Sequence, residues 1–100
     1  MCVTELQRID SLREEIDRID RNLIELLSER AACALAIGPL KQALGLPTFD
    51  AGREREVMDA LLSHNDGPLK DSALNYIFTE IISACRALQC PTKVAYLGPE

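Results

Sequence analysis

The first glycine of the sequence is Gly38, and the first proline follows it directly as Pro39. Before that point, leucine and isoleucine recur at alternating spacings of three and four residues, which places them on one face of an α-helix. We call this face the seam, and its residues are Ile9, Leu12, Ile16, Ile19, Leu23 and Leu26. The same register continues through Arg30, Cys33, Ile37, Leu40 and Leu44. The pattern predicts one long amphipathic helix.

Local signals set the expected ends of this helix. Thr4 is a candidate N-cap, and Gly45 followed by Leu46 and Pro47 is typical of a helix end. Proline inside a helix removes one backbone hydrogen bond and clashes with the preceding turn, so Gly38 and Pro39 interrupt the segment. Because the apolar register resumes in phase after them, we expect one kinked helix rather than two separate helices.

Two shorter helices are expected after the first. One runs from about residue 51 to 65 with Asp50 as its N-cap, and the run Asn65-Asp66-Gly67-Pro68 breaks it. The other ends near Gln89, before Pro91. Its inward side is expected to carry Leu74, Ile77, Phe78, Ile81, Ile82, Cys85 and Leu88. No stretch before residue 93 alternates with period two, so the sequence predicts an all-α fold with three helices.

The length of the first helix predicts an assembly. At 1.5 Å per residue, about 38 residues span roughly 57 Å. A compact domain of this size has a radius of gyration of only about 13 Å. Two short helices of the same chain cannot cover such a seam, so we expect an intertwined homodimer in which the long helices run antiparallel.

Composition excludes several classes of function. There are 11 lysines and arginines against 16 acidic residues, and the formal net charge of −5 disfavours sequence-independent binding of nucleic acid. Neither a membrane span nor a signal peptide is visible. Four cysteines, Cys2, Cys33, Cys85 and Cys90, form no C-x-x-C pair, and His64 is the single histidine. We therefore expect no metal site, and reduced thiols in a cytoplasmic protein.

Cations interrupt the apolar face of the long helix. Arg30 occupies a seam-register position, where an unpaired guanidinium would be costly to bury. Lys41 lies eleven residues later, about 16 Å along the axis, so the two side chains can converge on one ligand. Arg13 lies about 25 Å before Arg30 on the same helix. In an antiparallel pair that crosses near Asn22, Arg13 of one chain would lie opposite Arg30 of the other. For Arg30, the alternatives are an interchain ion pair with an acidic residue and a side chain that extends its guanidinium into solvent.

Two further clusters are ambiguous from the residues alone. Arg53 and Glu54 follow Asp50 in the first turn of the second helix, where a helix N-terminus favours anions. A solvated, charged turn would give the same pattern. Cys85 and Gln89 are four residues apart and share one face of the third helix, and a glutamine there can equally be a polar residue at the rim of the core.

Taken together, these motifs resemble the all-helical chorismate mutase family over about residues 6–90. The matching segments are Leu12-Arg13-Glu14-Glu15-Ile16-Asp17-x-x-Asp20, Leu26-Leu27-Ser28-Glu29-Arg30, Gly38-x-x-Lys41 and Asp50-x-x-Arg53-Glu54. The tail, Val94-Ala95-Tyr96-Leu97-Gly98-Pro99-Glu100, resembles the opening of a prephenate dehydratase domain and reads as the start of a β-strand. The two resemblances imply a mutase domain over residues 1–90. They also imply a linker and the truncated start of a dehydratase domain over residues 91–100, as in a bifunctional enzyme of phenylalanine biosynthesis.

The resemblance implies the Claisen rearrangement of chorismate to prephenate, which uses no nucleophile, metal or cofactor. It implies that Arg13 of the partner chain and Arg30 bind carboxylates, and that Lys41 donates to the ether oxygen and to a carboxylate. Gln89 would donate to the same ether oxygen from the other side. Glu54, with the Asp50 backbone, would hold the ring hydroxyl, and Arg53 would support the carboxylate site. Cys85 falls where the family often has a serine that touches a carboxylate.

Two other functions are compatible with the residues. A non-catalytic helical dimerisation module would use the same cations for salt bridges between chains. An isochorismate pyruvate lyase on the same fold would cleave its substrate to salicylate and pyruvate. Turnover of chorismate and the identity of the product separate these alternatives from a mutase.

Overall fold

The computed structural model describes residues 2–89, and it describes side chains for residues 4–89. Three helices follow one another in the chain: α1 (Cys2–Leu44), α2 (Ala51–Ser63) and α3 (Asp71–Leu88). The described part contains no strand, so the all-α prediction is confirmed. Cys2 lies in α1 without a described side chain, and Cys90 and the strand expected from residue 94 lie outside the described residues.

The long first helix is confirmed, with one correction at its start. α1 begins at Cys2, so Thr4 lies within the helix, and the prediction that Thr4 is the N-cap was wrong. The helix continues through Pro39 to Leu44. One continuous helix rather than two is therefore confirmed, because loss of a single backbone hydrogen bond at Pro39 does not end it.

The C-terminal end of α1 is a Schellman motif. Gly45 has a φ of 72°, in the left-handed region that glycine adopts without a steric penalty. The N–H of Gly45 donates to the carbonyl of Gln42 at 3.1 Å, and the N–H of Leu46 donates to the carbonyl of Lys41 at 2.8 Å. These two bonds satisfy carbonyls that the helix end would otherwise leave unpaired.

The chain divides into two compact units, Met1–Arg30 and Ala31–Glu100. The described residues of the first unit are all helical. Its seam faces no other part of that unit: Leu12 is 62% exposed and Leu26 is 59% exposed. An ion pair between Arg18 and Glu15, one turn apart on the same helix, is also exposed.

The second unit contains the end of α1 together with α2 and α3, and its core is small. Ala34, Ile82 and Cys85 are its buried apolar residues among those described. Ile82 and Cys85 belong to the predicted inward stripe of α3, whereas Ile77 and Leu88 of that stripe are more than two-fifths exposed. α2 packs on α3 through half-buried residues, among them the predicted Val57, Leu61 and Leu62.

The start of α2 is capped as the sequence predicts. Asp50 has an extended backbone, with φ of −129° and ψ of 94°, and its carboxylate accepts a hydrogen bond from the backbone N–H of Arg53 at 3.0 Å. This bond satisfies one of the free N–H groups of the first turn. The helix ends at Ser63, two residues earlier than expected, and exposed His64 is its C-cap.

No helix in the part of the chain that the structure describes combines the length and the apolar character that a membrane span needs.

Candidate functional site

A lysine and a glutamine that are far apart in sequence meet in the second unit. Nζ of Lys41, in the last turn of α1, donates to Oε1 of Gln89, the C-cap residue of α3, at 2.9 Å. The same Nζ donates to the backbone carbonyl of Thr48 at 2.9 Å. These bonds are partly buried, so Lys41 ties the end of α1 both to the end of α3 and to the loop before α2. The structure thus brings together two residues that the resemblance assigns to one ether oxygen, and their roles there stay predictions.

The bond between Lys41 and Gln89 fixes the direction of the glutamine amide. An ammonium group has only N–H donors, so it must face the oxygen of the amide. The NH₂ group of Gln89 is therefore not used by Lys41 and can donate to another acceptor. The described contacts use two of the three N–H bonds of Lys41, which leaves one for another acceptor. The pair thus presents N–H donors from both residues.

A glycine makes this approach of α1 and α3 possible. Gly38 is buried, and a Cβ built on it would lie 3.0 Å from the carbonyl oxygen of Gln89 and 3.2 Å from its Cα. Both atoms belong to backbone and cannot rotate away. Only glycine fits without a shift of the backbone, which gives Gly38 a role in the placement of Gln89 that the sequence did not reveal.

Glu54, the predicted acidic residue of α2, is bound by Arg86, which no sequence pattern indicated as a site residue. Nε of Arg86 donates to Oε2 of Glu54 at 2.8 Å, and its Nη2 donates to Oε1 at 3.3 Å. The guanidinium also lies over the ring of Phe49, 4.7 Å from its centroid. The sequence shows only that a charged residue, Arg86, follows Cys85 directly and precedes Gln89 by about one helical turn. Its partner lies 32 residues away in sequence, which no local pattern shows.

The other predicted residues of the second unit have different surroundings. Cys85 is buried with Ile82 and serves as a small apolar core residue. Arg53 is exposed and lies 3.8 Å from Glu56, also exposed, one turn along α2, as expected of a solvated, charged turn. The carboxylate of Asp50 is engaged in the helix cap, and its carbonyl accepts the N–H of Glu54 at 3.0 Å. No described hydrogen bond uses the backbone N–H of Asp50.

Two predicted site residues belong to the first unit. Arg13 is exposed on α1, and Arg30, at the end of the unit, is half-buried. The described residues of that unit show no side-chain ion pair or hydrogen bond for either.

Similar proteins were found at the level of sequence and of structure. The family model of chorismate mutase type II matches residues 12–90. A bifunctional chorismate mutase/prephenate dehydratase of Aquifex aeolicus is 43% identical over 95% of this chain, which spans only 27% of that relative. Chorismate mutase (form II) of Thermus thermophilus has a TM-score of 0.81 and 40% identity, covering 85% of this chain and 97% of that one. Chorismate mutase of Helicobacter pylori, in complex with prephenate, has a TM-score of 0.76 and 29% identity, with 89% and 97% coverage.

Proposed function

Because the chain belongs to the chorismate mutase type II family, we propose that its helical domain converts chorismate to prephenate. The observation that carries this proposal is the hydrogen bond from Nζ of Lys41 to Oε1 of Gln89, which brings the two predicted donor residues into contact. The chain spans about a quarter of the length of the bifunctional relatives that it matches. A dehydratase activity of a longer protein, a linker with the start of that domain over residues 91–100, and a cytoplasmic location all stay predictions.

The reaction is a pericyclic rearrangement within one molecule, so an enzyme accelerates it without a nucleophile, metal or cofactor. Two means are available: holding the substrate in its compact, reactive conformer, and stabilising the charge that develops as the ether C–O bond breaks. The substrate has two carboxylates, a ring hydroxyl and the ether oxygen. Cations and N–H donors are therefore the groups that the chemistry needs.

Lys41 and Gln89 match the requirements of the breaking C–O bond. We assign the remaining N–H of Lys41 and the NH₂ group of Gln89 to the ether oxygen, which gains negative charge in the transition state. Both donors are already oriented by their mutual hydrogen bond, so little reorganisation is required when the charge forms. Half-burial of both residues strengthens such bonds, because less water competes for them.

The start of α2 matches the requirements of the ring hydroxyl. A carboxylate accepts hydrogen bonds and a backbone N–H donates one, so Glu54 and the Asp50 N–H can together hold a hydroxyl group. Arg53 lies in the same turn, and we assign it a supporting role at a substrate carboxylate. Cys85 stands where the family often has serine, and a buried thiol can give that carboxylate only a weak hydrogen bond.

The remaining carboxylate ligands require a second copy of the chain. We propose an intertwined homodimer in which Arg13 of one chain and Arg30 of the other bind the substrate together. The exposed seam of the first unit supports this proposal, since a row of leucine and isoleucine side chains more than two-fifths exposed indicates an interaction surface. A two-fold symmetric pair would contain two such sites.

The direct test is turnover of chorismate, followed as loss of its ultraviolet absorbance and by identification of prephenate as the product. We expect Lys41→Met to lower kcat by about 10²- to 10³-fold, the typical cost of removing one donor to a developing charge. Lys70→Met is the matched control, because Lys70 precedes α3 and makes no capping bond through its side chain. A folded Lys41→Met variant with the parental rate, or salicylate and pyruvate as products, would contradict the proposal.

A further inference from the structure

Arg86 joins α3 to the start of α2 at more than one point. It lies in the last turn of α3, and its side chain is 35% exposed, against 25% for that of Glu54. The two hydrogen bonds, at 2.8 and 3.3 Å, engage both oxygens of the Glu54 carboxylate. Two parallel N–H bonds from a planar guanidinium fix the plane of a carboxylate as well as its position, which a lysine cannot do.

The guanidinium itself is held from a second side. The ring of Phe49 lies 4.7 Å from Cζ of Arg86 and stacks with the cation. Phe49 directly precedes Asp50, the residue that caps α2. Arg86 is therefore fixed by the loop before α2 and in turn fixes the first turn of that helix.

Arg86 is also adjacent to the other half of the candidate site. Its backbone carbonyl accepts the N–H of Gln89 at 3.0 Å, one turn further along α3. The residue thus contacts Glu54 through its side chain and Gln89 through its backbone. Those are the residues to which we assign the ring hydroxyl and the ether oxygen.

We propose that Arg86 is a positioning residue that holds the carboxylate of Glu54 in the orientation required to accept a hydrogen bond from the ring hydroxyl. This inference rests on the proposed function. Arg86 occupies one lone pair on each oxygen of Glu54, and the lone pairs that remain point away from Arg86 and are available to a ligand. Without Arg86, the glutamate side chain regains rotational freedom that substrate binding must then remove.

The effect is expected in substrate binding rather than in the chemical step. Glu54 is assigned to the ring hydroxyl, which the bond rearrangement leaves unchanged, so its orientation affects ground state and transition state alike. We expect Arg86→Met to raise KM for chorismate by about tenfold and to change kcat by less than about threefold. Arg86→Lys retains the charge but not the two-pronged geometry, and it should restore part of the loss.

A double-mutant cycle separates positioning from general support of the fold. If Arg86 acts through Glu54, then Glu54→Gln combined with Arg86→Met should give the same KM as Glu54→Gln alone. Arg55→Met is the matched control, because Arg55 is the next residue after Glu54, is exposed, and has no role in the proposed site. Its KM should equal that of the parent. Thermal unfolding of every variant identifies those whose fold has weakened.

Each outcome of the experiment has a distinct meaning. An inactive parent domain would overturn the proposed function, and the role of Arg86 with it. An active parent with an unchanged KM in Arg86→Met would overturn the role of Arg86 alone. So would a KM effect that adds fully to that of Glu54→Gln, because a residue that acts through Glu54 has no effect once Glu54 is altered.

Discussion

At the scale of single residues, the role proposed for Gln89 depends on which atoms of its amide are free to donate. Its amide oxygen accepts from Lys41 at 2.9 Å, so its NH₂ group stays available as a donor. A neutral amide donates at any pH, whereas a carboxyl group at the same place donates only while it is protonated. The pH dependence of the rate therefore reports whether residue 89 serves as a donor.

We expect the parent protein to show a flat pH profile between about pH 5 and 8, since Gln89 does not titrate. In Gln89→Glu, the introduced carboxylate would pair with Lys41 at neutral pH and could not donate. Protonation restores the donor, so kcat of this variant should rise as the pH falls. Steady-state rates at constant ionic strength measure both profiles. A steep rise for the parent on acidification, or a flat profile for Gln89→Glu, would contradict the role of Gln89 as donor.

At the scale of elements, the sequence predicted helices better than it predicted their meeting points. The cap at Asp50 and the end of α1 at Gly45 depend on neighbouring residues, so local patterns were sufficient. The prediction of Thr4 as the N-cap was wrong because a threonine near the start of a helix can also lie inside it. The approach of Gly38 to Gln89 joins residues far apart in sequence and depends on how two helix ends pack. The spacing of residues in the sequence therefore could not predict how closely Gly38 approaches Gln89.

This close approach makes a prediction at the level of helix packing. Gly38→Ala places a Cβ 3.0 Å from the carbonyl oxygen of Gln89, so the end of α3 has to move. Overpacking usually costs about 1–3 kcal/mol, and the better helix propensity of alanine within α1 offsets part of it. We therefore expect a net loss in the free energy of unfolding that is smaller than the cost of overpacking, together with a lower kcat. Denaturant unfolding and chorismate turnover measure the two effects.

Gly52→Ala is the control for Gly38→Ala. The nearest atom to its new Cβ is Oδ1 of Asp50 at 3.6 Å, an ordinary contact, and alanine is the better helix former. Stability should be unchanged or slightly higher. If Gly38→Ala behaved like Gly52→Ala in both measurements, the helix ends would not be packed as closely as the structure has them.

At the scale of the whole molecule, the exposed seam and the cationic side chains lead to one prediction. If each site takes Arg13 from one chain and Arg30 from the other, neither Arg13→Ala nor Arg30→Ala should be active alone. After exchange of subunits, a mixed dimer contains one site with both arginines intact and one with neither. An equal mixture should regain about a quarter of the parental activity, because about half of its dimers are mixed.

Sedimentation equilibrium and mass spectrometry of the mixture provide the control for this experiment. They establish that the chains are dimeric and that exchange has occurred. Confirmed exchange with no recovery of activity would show that the two arginines do not act across an interface. A monomeric, active protein would rule out the dimer itself.

The end of α1 has a consequence for attempts to redesign this protein. Lys41 supplies a backbone carbonyl to the Schellman motif and an ammonium group to Gln89 and Thr48. A library that varies Gly45 or its neighbours to lengthen the helix would also rotate that ammonium group, so gains in helix stability would be linked to losses in turnover. Selection for activity should therefore vary residues 38–48 as one block, with compensating changes sought at residue 89.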